Sequence, residues 1–164
     1  IMEIFQAFPD LIFAMAIMTF MGKGVLNLFI ALGLLTWVRT ARMIRGSVMQ
    51  LKEKEYIEAS RANGASTFWI ITKGLIPNCL STIIVLVTLG IPNAIMYEAS
   101  LSFLGIGIQP PTPSWGNMIS AAQTFISYRP VYSIMPGVAI MITVIAFNIF
   151  GDGLRDALDP KLKN

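Results

Sequence analysis

Residues 55–78 read EYIEASRANGASTFWIITKGLIPN, a polar stretch set between long apolar segments. Good helix formers fill positions 47–63, and Asn63-Gly64 then supplies a residue able to take the left-handed conformation that ends helices. Ser66 carries the side chain to cap a second short helix running from Thr67 toward Lys73. The expected product is a knuckle over about residues 47–74: two short helices around a tight glycine turn. Ala59, Ser60 and Ala62 keep its surface shallow enough for another protein to approach the backbone, while Tyr56, Ile57, Phe68 and Trp69 offer apolar anchors. Such an element is a docking surface, and it requires a partner.

The flanks say where the knuckle sits. The 164 residues are 55% hydrophobic and only 13% charged, with a mean hydropathy of +0.68, whereas soluble domains carry about 25% charged residues. Apolar segments at 4–21, 25–43, 75–96 and 131–150 predict an all-α polytopic membrane protein with about four crossings. The first is long enough for a hydrocarbon core of roughly 30 Å at about 1.5 Å per residue.

Gly22-Lys23-Gly24 is a tight turn, so the first two segments return antiparallel. Pro9-Asp10 interrupts the first, and an aspartate at a helix centre costs about 2.5 to 3.5 kcal/mol on insertion scales. Asp10 therefore belongs at the interface or toward protein, and two readings stay open: a local cap or helix contact, and a place on a transport path. Arg39, Arg42 and Arg45 recur every third residue along one side of the second segment, within reach of lipid phosphates or of a partner. Pro77 suits the first turn of the third segment. Gly90-Ile91-Pro92, deep within that segment, is expected to bend or break it, either as a gate or as a packing kink. Thr88, Pro92, Asn93 and Met96 are the path-lining candidates there, and Glu98 falls at the far interface.

Residues 105–130 form a rigid connection carrying Gly105, Gly107, Pro110, Pro111, Pro113 and Trp115-Gly116, which cannot face lipid. A short surface helix is expected over 117–128. The connection either meets a soluble delivery protein or caps the helix ends. A polar tail is expected to begin at Gly151-Asp152-Gly153. Ten of the twelve basic residues, from Arg39 to Lys73 and from Arg155 to Lys163, fall on one side, against Lys23 and Arg129 on the other. The positive-inside rule makes the knuckle and the C-terminus cytoplasmic and the 105–130 connection extracytoplasmic.

One cysteine and no histidine exclude a disulfide, a Cys/His metal site and histidine catalysis within the chain. No phosphate-binding GxxxxGK[ST] occurs, so ATP chemistry would reside on another polypeptide. No catalytic residue, metal, cofactor or nucleic-acid partner is assigned. An apolar opening with no signal peptide and no methionine at position 1 is read as the C-terminal portion of a longer subunit.

Glu58-Ala59-Ser60, Gly64 and Ile76-Pro77 together resemble the EAA loop in membrane subunits of bacterial ATP-binding cassette importers. Ser60 stands where that motif has its second alanine, and Ile76 where it usually has leucine. SLSFLGIGIQPPTPSWGNMI at 100–119 and NIFGDGLRDALDPKL at 148–162 resemble the C-type permeases of the dipeptide, oligopeptide and nickel transport family. The resemblance implies a type I importer fold in the bacterial inner membrane and a homologous B-type permease partner. It also implies two cytoplasmic ATPases, which hold the ATP and Mg, and an extracytoplasmic substrate-binding protein. The residues expected to couple to the ATPase are Tyr56, Glu58, Ala59, Ser60, Ala62, Gly64 and Ser66. Cargo is left open among dipeptides, longer peptides, nickel chelates and glutathione-like compounds. Two other classes are alternatives: a secondary transporter or channel without ATPase, and an intramembrane hydrolase using Asp10 and Asp152, the latter in FGDGL.

Overall fold

The computed structural model describes residues 9–158, and every regular element among them is helical. Helix α1 (Asp10–Met21) and helix α2 (Val25–Leu51) form the hairpin that the glycine turn requires. Gly22 at φ 86° and Gly24 at φ 149° hold backbone that residues with a Cβ rarely adopt. Asn27 closes the turn, its Nδ2 donating to the carbonyls of Met21 at 2.7 Å and Gly22 at 3.0 Å, acceptors left over at the end of α1. The part of the first apolar segment before Pro9 lies outside the described residues.

The 47–63 helix is two elements. α2 continues past Met43 to Leu51, the chain breaks at Lys52-Glu53-Lys54 with Lys54 extended at φ −80°, ψ 140°, and helix α3 (Glu55–Ala62) begins. Lysine and glutamate are good helix formers, so propensity carries no sign of the break; the docking of α3 through Ile57 and Tyr56 decides it.

Helix α4 (Thr67–Phe103) is 37 residues long. The expected second short helix starts at Thr67 under its Ser66 cap and runs directly on as the first turns of α4. It passes through a widened π-turn at Ile70–Leu75, in which the Ile76 N–H donates to the Ile71 carbonyl, and is α-helical again from Ile76. The wide turn directly precedes Pro77, whose ring lacks an N–H and would crowd the Lys73 carbonyl of a tighter helix. Gly90-Ile91-Pro92 does not break α4, which stays helical throughout with Pro92 buried. Within a bilayer a break frees several backbone groups with no water to receive them, whereas an unbroken helix gives up only the bond Pro92 cannot make.

Helix α5 (Trp115–Ala122) starts two residues before the expected surface helix because Ser114 caps it, its Oγ accepting from the Asn117 N–H at 3.1 Å. A 3₁₀ turn, Gln123–Phe125, follows, so the helix does not reach Tyr128. Helix α6 (Val131–Leu158) runs through Gly151-Asp152-Gly153 and Arg155-Asp156, where a tail was expected. Gly151 is buried there, and a Cβ on it would stand 2.5 Å from Leu89 Cδ2. The glycine marks close approach of α6 to α4, not a helix end.

Ala14 and Met18 of α1, Leu28, Ala31, Leu32 and Leu35 of α2, and Leu101 of α4 make the buried core, with α5 packed on α4 and α6. α2, α4 and α6 are long and apolar enough to cross a membrane, and α1 is a shorter apolar helix. Much of their apolar surface is uncovered within the chain, Phe20, Leu26, Phe29 and Ile149 among it. That surface suits lipid and further protein, not water.

Candidate functional site

The knuckle is built by docking α3 on the stem of α4. Ile57 is 1% exposed and Ile70 beside it is also buried. A Cβ on Gly74 would lie 2.9 Å from Ile57 Cδ1, so the glycine leaves the space that Ile57 occupies. Gly74 belongs to the π-turn, and its carbonyl accepts from Asn78 Nδ2 at 2.6 Å and, at 3.4 Å, from the Tyr56 hydroxyl. The widened backbone thus offers an acceptor and a hollow at one place, and α3 fills both with adjacent side chains.

The turn between the two helices has the geometry its sequence implies. Gly64 sits at φ 78°, its N–H donates to the Arg61 carbonyl at 2.9 Å, and the Ala65 N–H donates to the Ser60 carbonyl at 3.0 Å, which together make a Schellman cap. Ser66 Oγ then accepts from the Trp69 N–H at 3.2 Å and opens α4. Ser66→Ala should cost about 1 kcal/mol of stability at this turn. Hydrogen exchange at the Trp69 amide checks it, and unchanged protection would show that the cap contributes nothing.

Glu58, Ala59, Ala62 and Gly64 are exposed, and so are Phe68 and Trp69. Ser60 is half-buried and donates its hydroxyl to the Tyr56 carbonyl at 2.7 Å, so it faces its own helix. The four apolar anchors divide: Ile57 is committed to the fold, Tyr56 is partly so, and Phe68 and Trp69 remain outside. A face of alternating turn residues cannot reveal which apolar side chain turns inward, because that depends on the stem it meets.

The path candidates separate in a similar way. Thr88 and Pro92, one turn apart, are both buried, and the Thr88 hydroxyl donates to the Ile84 carbonyl at 3.0 Å. Asn93 and Met96 are exposed. A single site does not gather all four.

A polar cluster that sequence reading missed joins three helices. Asp10 Oδ2 pairs with the Arg39 guanidinium and also accepts from the Tyr97 hydroxyl at 2.7 Å. The missed signal was depth: counted from the 22–24 turn, Asp10 and Arg39 lie at similar distances along antiparallel helices. Arg39 is therefore not one of three equivalent arginines, and Asp10 is a helix contact. Asp10 is bonded to Arg39 and Tyr97 rather than to Asp152, which is exposed on α6.

A family profile described as binding-protein-dependent transport system inner membrane component matches residues 1–164. The glutathione transport system permease protein GsiD of Escherichia coli O1:K1 / APEC is 42% identical over 163 residues, which is 99% of this chain and 54% of that protein. Proteins of the same name from Shigella flexneri serotype 5b (strain 8401) and Escherichia coli O157:H7 show the same 42% identity over the same shares, 99% and 54%. The chain spans about half the length of the curated relatives it matches.

Proposed function

The chain belongs to the binding-protein-dependent transport system inner membrane components, and on that premise we propose that it serves as a pore-forming permease of an ATP-driven importer in a bacterial inner membrane. The observation that carries the reading is mechanical. An exposed, shallow surface on α3 is fixed through Ile57 and Tyr56 to the π-turn of α4, and α4 runs on without a break for the length of a membrane crossing. Force applied to Glu58, Ala59, Ala62 and Gly64 by an ATPase would reach the membrane helices as a rigid movement rather than be absorbed by a loop.

In this reading two cytoplasmic ATPase subunits supply ATP and Mg, a homologous permease completes the pore, and an extracytoplasmic binding protein delivers cargo. The α3 knuckle and the C-terminus face the cytoplasm, and the 105–130 connection faces outward. The cargo we infer is glutathione or a short peptide, supported by relatives named as glutathione transport permeases. Tyr56 and Ser60 hold the knuckle's shape, Ser66 and Gly64 its turn, and Glu58 its charge toward the ATPase. Asn93 and Met96 are the path-facing pair; Thr88 and Pro92 support them from the buried side of α4.

The test compares the full-length subunit, coexpressed with its companion permease and ATPases, with Gly64→Pro and Glu58→Lys. Proline cannot reach φ 78°, and lysine reverses the charge on the exposed face. Both variants should insert in the membrane yet lose ATPase copurification or coupled uptake by about tenfold or more, roughly 1.4 kcal/mol of coupling. Uptake without any associated ATPase, or normal coupling in both variants, would move the secondary-transporter reading ahead.

A further inference from the structure

At the end of α4 remote from the knuckle, roughly 46 Å from Thr67 at about 1.5 Å per residue, a recess of about 380 Å³ is lined by Glu98, Ile108, Pro113, Ser114, Trp115 and Met118. Its size falls at the lower end of small-ligand pockets, about 300 to 1,000 Å³. We propose that this recess binds a primary ammonium group on the Glu98 carboxylate, a role that stands apart from the importer reading and does not depend on it.

The carboxylate is held in place. The Ser102 hydroxyl donates to Glu98 Oε1 at 2.7 Å, and Ser102 Oγ in turn accepts from the Ile108 N–H at 3.0 Å. The hydroxyl's single proton is thereby directed at Glu98, and Oε2 has no partner among the described residues. Nor does a described residue form a salt bridge with it: among the described residues the salt bridge is Arg39 with Asp10, elsewhere in the bundle. A half-buried carboxylate walled by Ile108, Pro113 and Met118 favours a cation over a neutral guest.

The recess also selects the kind of cation. Trp115 offers an indole, the side chain most attractive to organic cations. A divalent metal needs about six oxygen ligands and finds here one carboxylate and one serine hydroxyl. A guanidinium binds best with its fork on both carboxylate oxygens, and the Ser102 bond leaves Oε1 less acceptor capacity than Oε2, which favours a cation that needs one oxygen. A primary ammonium on a short apolar stem matches the remaining oxygen and the apolar wall. Two sources carry that chemistry: the free amino terminus of a small soluble peptide and the headgroup of phosphatidylethanolamine.

The test uses the full-length subunit labelled with 5-fluorotryptophan in phosphatidylcholine nanodiscs, with the Trp115 fluorine resonance assigned by its loss in Trp115→Phe. n-Butylammonium should shift that resonance saturably and n-butanol should not. Glu98→Gln should weaken the binding by about tenfold or more, and Glu98→Asp should retain part of it. Unmoved Trp37 and Trp69 resonances certify that each variant is folded. A shift already present in phosphatidylethanolamine discs, reversed by Glu98→Gln, identifies the lipid headgroup. A shift with glycylglycine but not with its N-acetyl form identifies a soluble amine. Equal responses to butanol and butylammonium, no response to either, or full binding by Glu98→Gln would overturn the proposal.

Discussion

Gly116→Ala is expected to destabilise the protein by about 3 kcal/mol, at the upper end of overpacking costs. A Cβ on Gly116 would stand 2.2 Å from the Ala99 carbonyl oxygen, 2.9 Å from its carbon and 2.8 Å from Ser102 Cβ. Backbone in the middle of a packed helix cannot yield as a flexible side-chain tip can. α5 must therefore lift from α4, which also loosens its packing on α6. Gly107 is similarly tight, since its Cβ would meet Ser102 Oγ at 2.5 Å and the Ser102 nitrogen at 2.7 Å. Gly137→Ala is the matched control: it lies within α6 with nothing within 4 Å of an added Cβ, and should change stability by under about 1 kcal/mol, in the stabilising direction. Thermal unfolding of the full-length subunit in nanodiscs compares the two. Equal midpoints for Gly116→Ala and Gly137→Ala would show that the α4–α5 contact is not built as described.

The second large effect lies at the Asp10–Arg39 pair. Arg39 is fourteen residues beyond Val25, roughly 21 Å along α2, less than the thickness of a hydrocarbon core of about 30 Å. Removing either partner leaves a charge in or near lipid, but the two removals are unequal. The Arg39 side chain is 65% exposed and long, the Asp10 side chain 25% exposed and short. Unpaired Arg39 can extend toward lipid phosphates; unpaired Asp10 cannot leave and keeps only the Tyr97 hydroxyl. Arg39→Met should therefore cost about 2 to 3 kcal/mol and Asp10→Ala about 1 to 2 kcal/mol. The double variant should fall within about 1 kcal/mol of wild type, because replacing both members of a pair by apolar groups is nearly neutral. A double-mutant cycle on unfolding in nanodiscs measures the coupling, and strict additivity would mean that the pair contributes nothing.

The turns were legible residue by residue. Gly22-Lys23-Gly24, Asn63-Gly64 and Ser66 are local signals, since a positive φ or a capping oxygen depends on neighbours a few positions away. The prolines were read unequally. Pro77 falls, as read, in the first turn of the α-helical part of α4, just after the π-turn, whereas Pro92, expected to bend or break the helix, lies inside it without a break. The glycines at 107, 116 and 151 read as turn or tail residues, while in the structure each marks where another backbone or side chain approaches. Nothing within a few residues of these positions reports that approach.

The sequence by itself determined that this is an all-helical membrane protein, where its chain reverses, which segments are apolar, and that a polar knuckle separates the second apolar segment from the third. Composition, hydropathic length and capping chemistry act over a few turns of helix and need no tertiary partner. Only the tertiary structure decided that Ile57 turns inward onto Gly74, that Asp10, Arg39 and Tyr97 meet, and that Glu98 stands in a recess beside Trp115. Each of these depends on the rotation and depth at which whole helices pack, and that is set by side chains far apart along the chain.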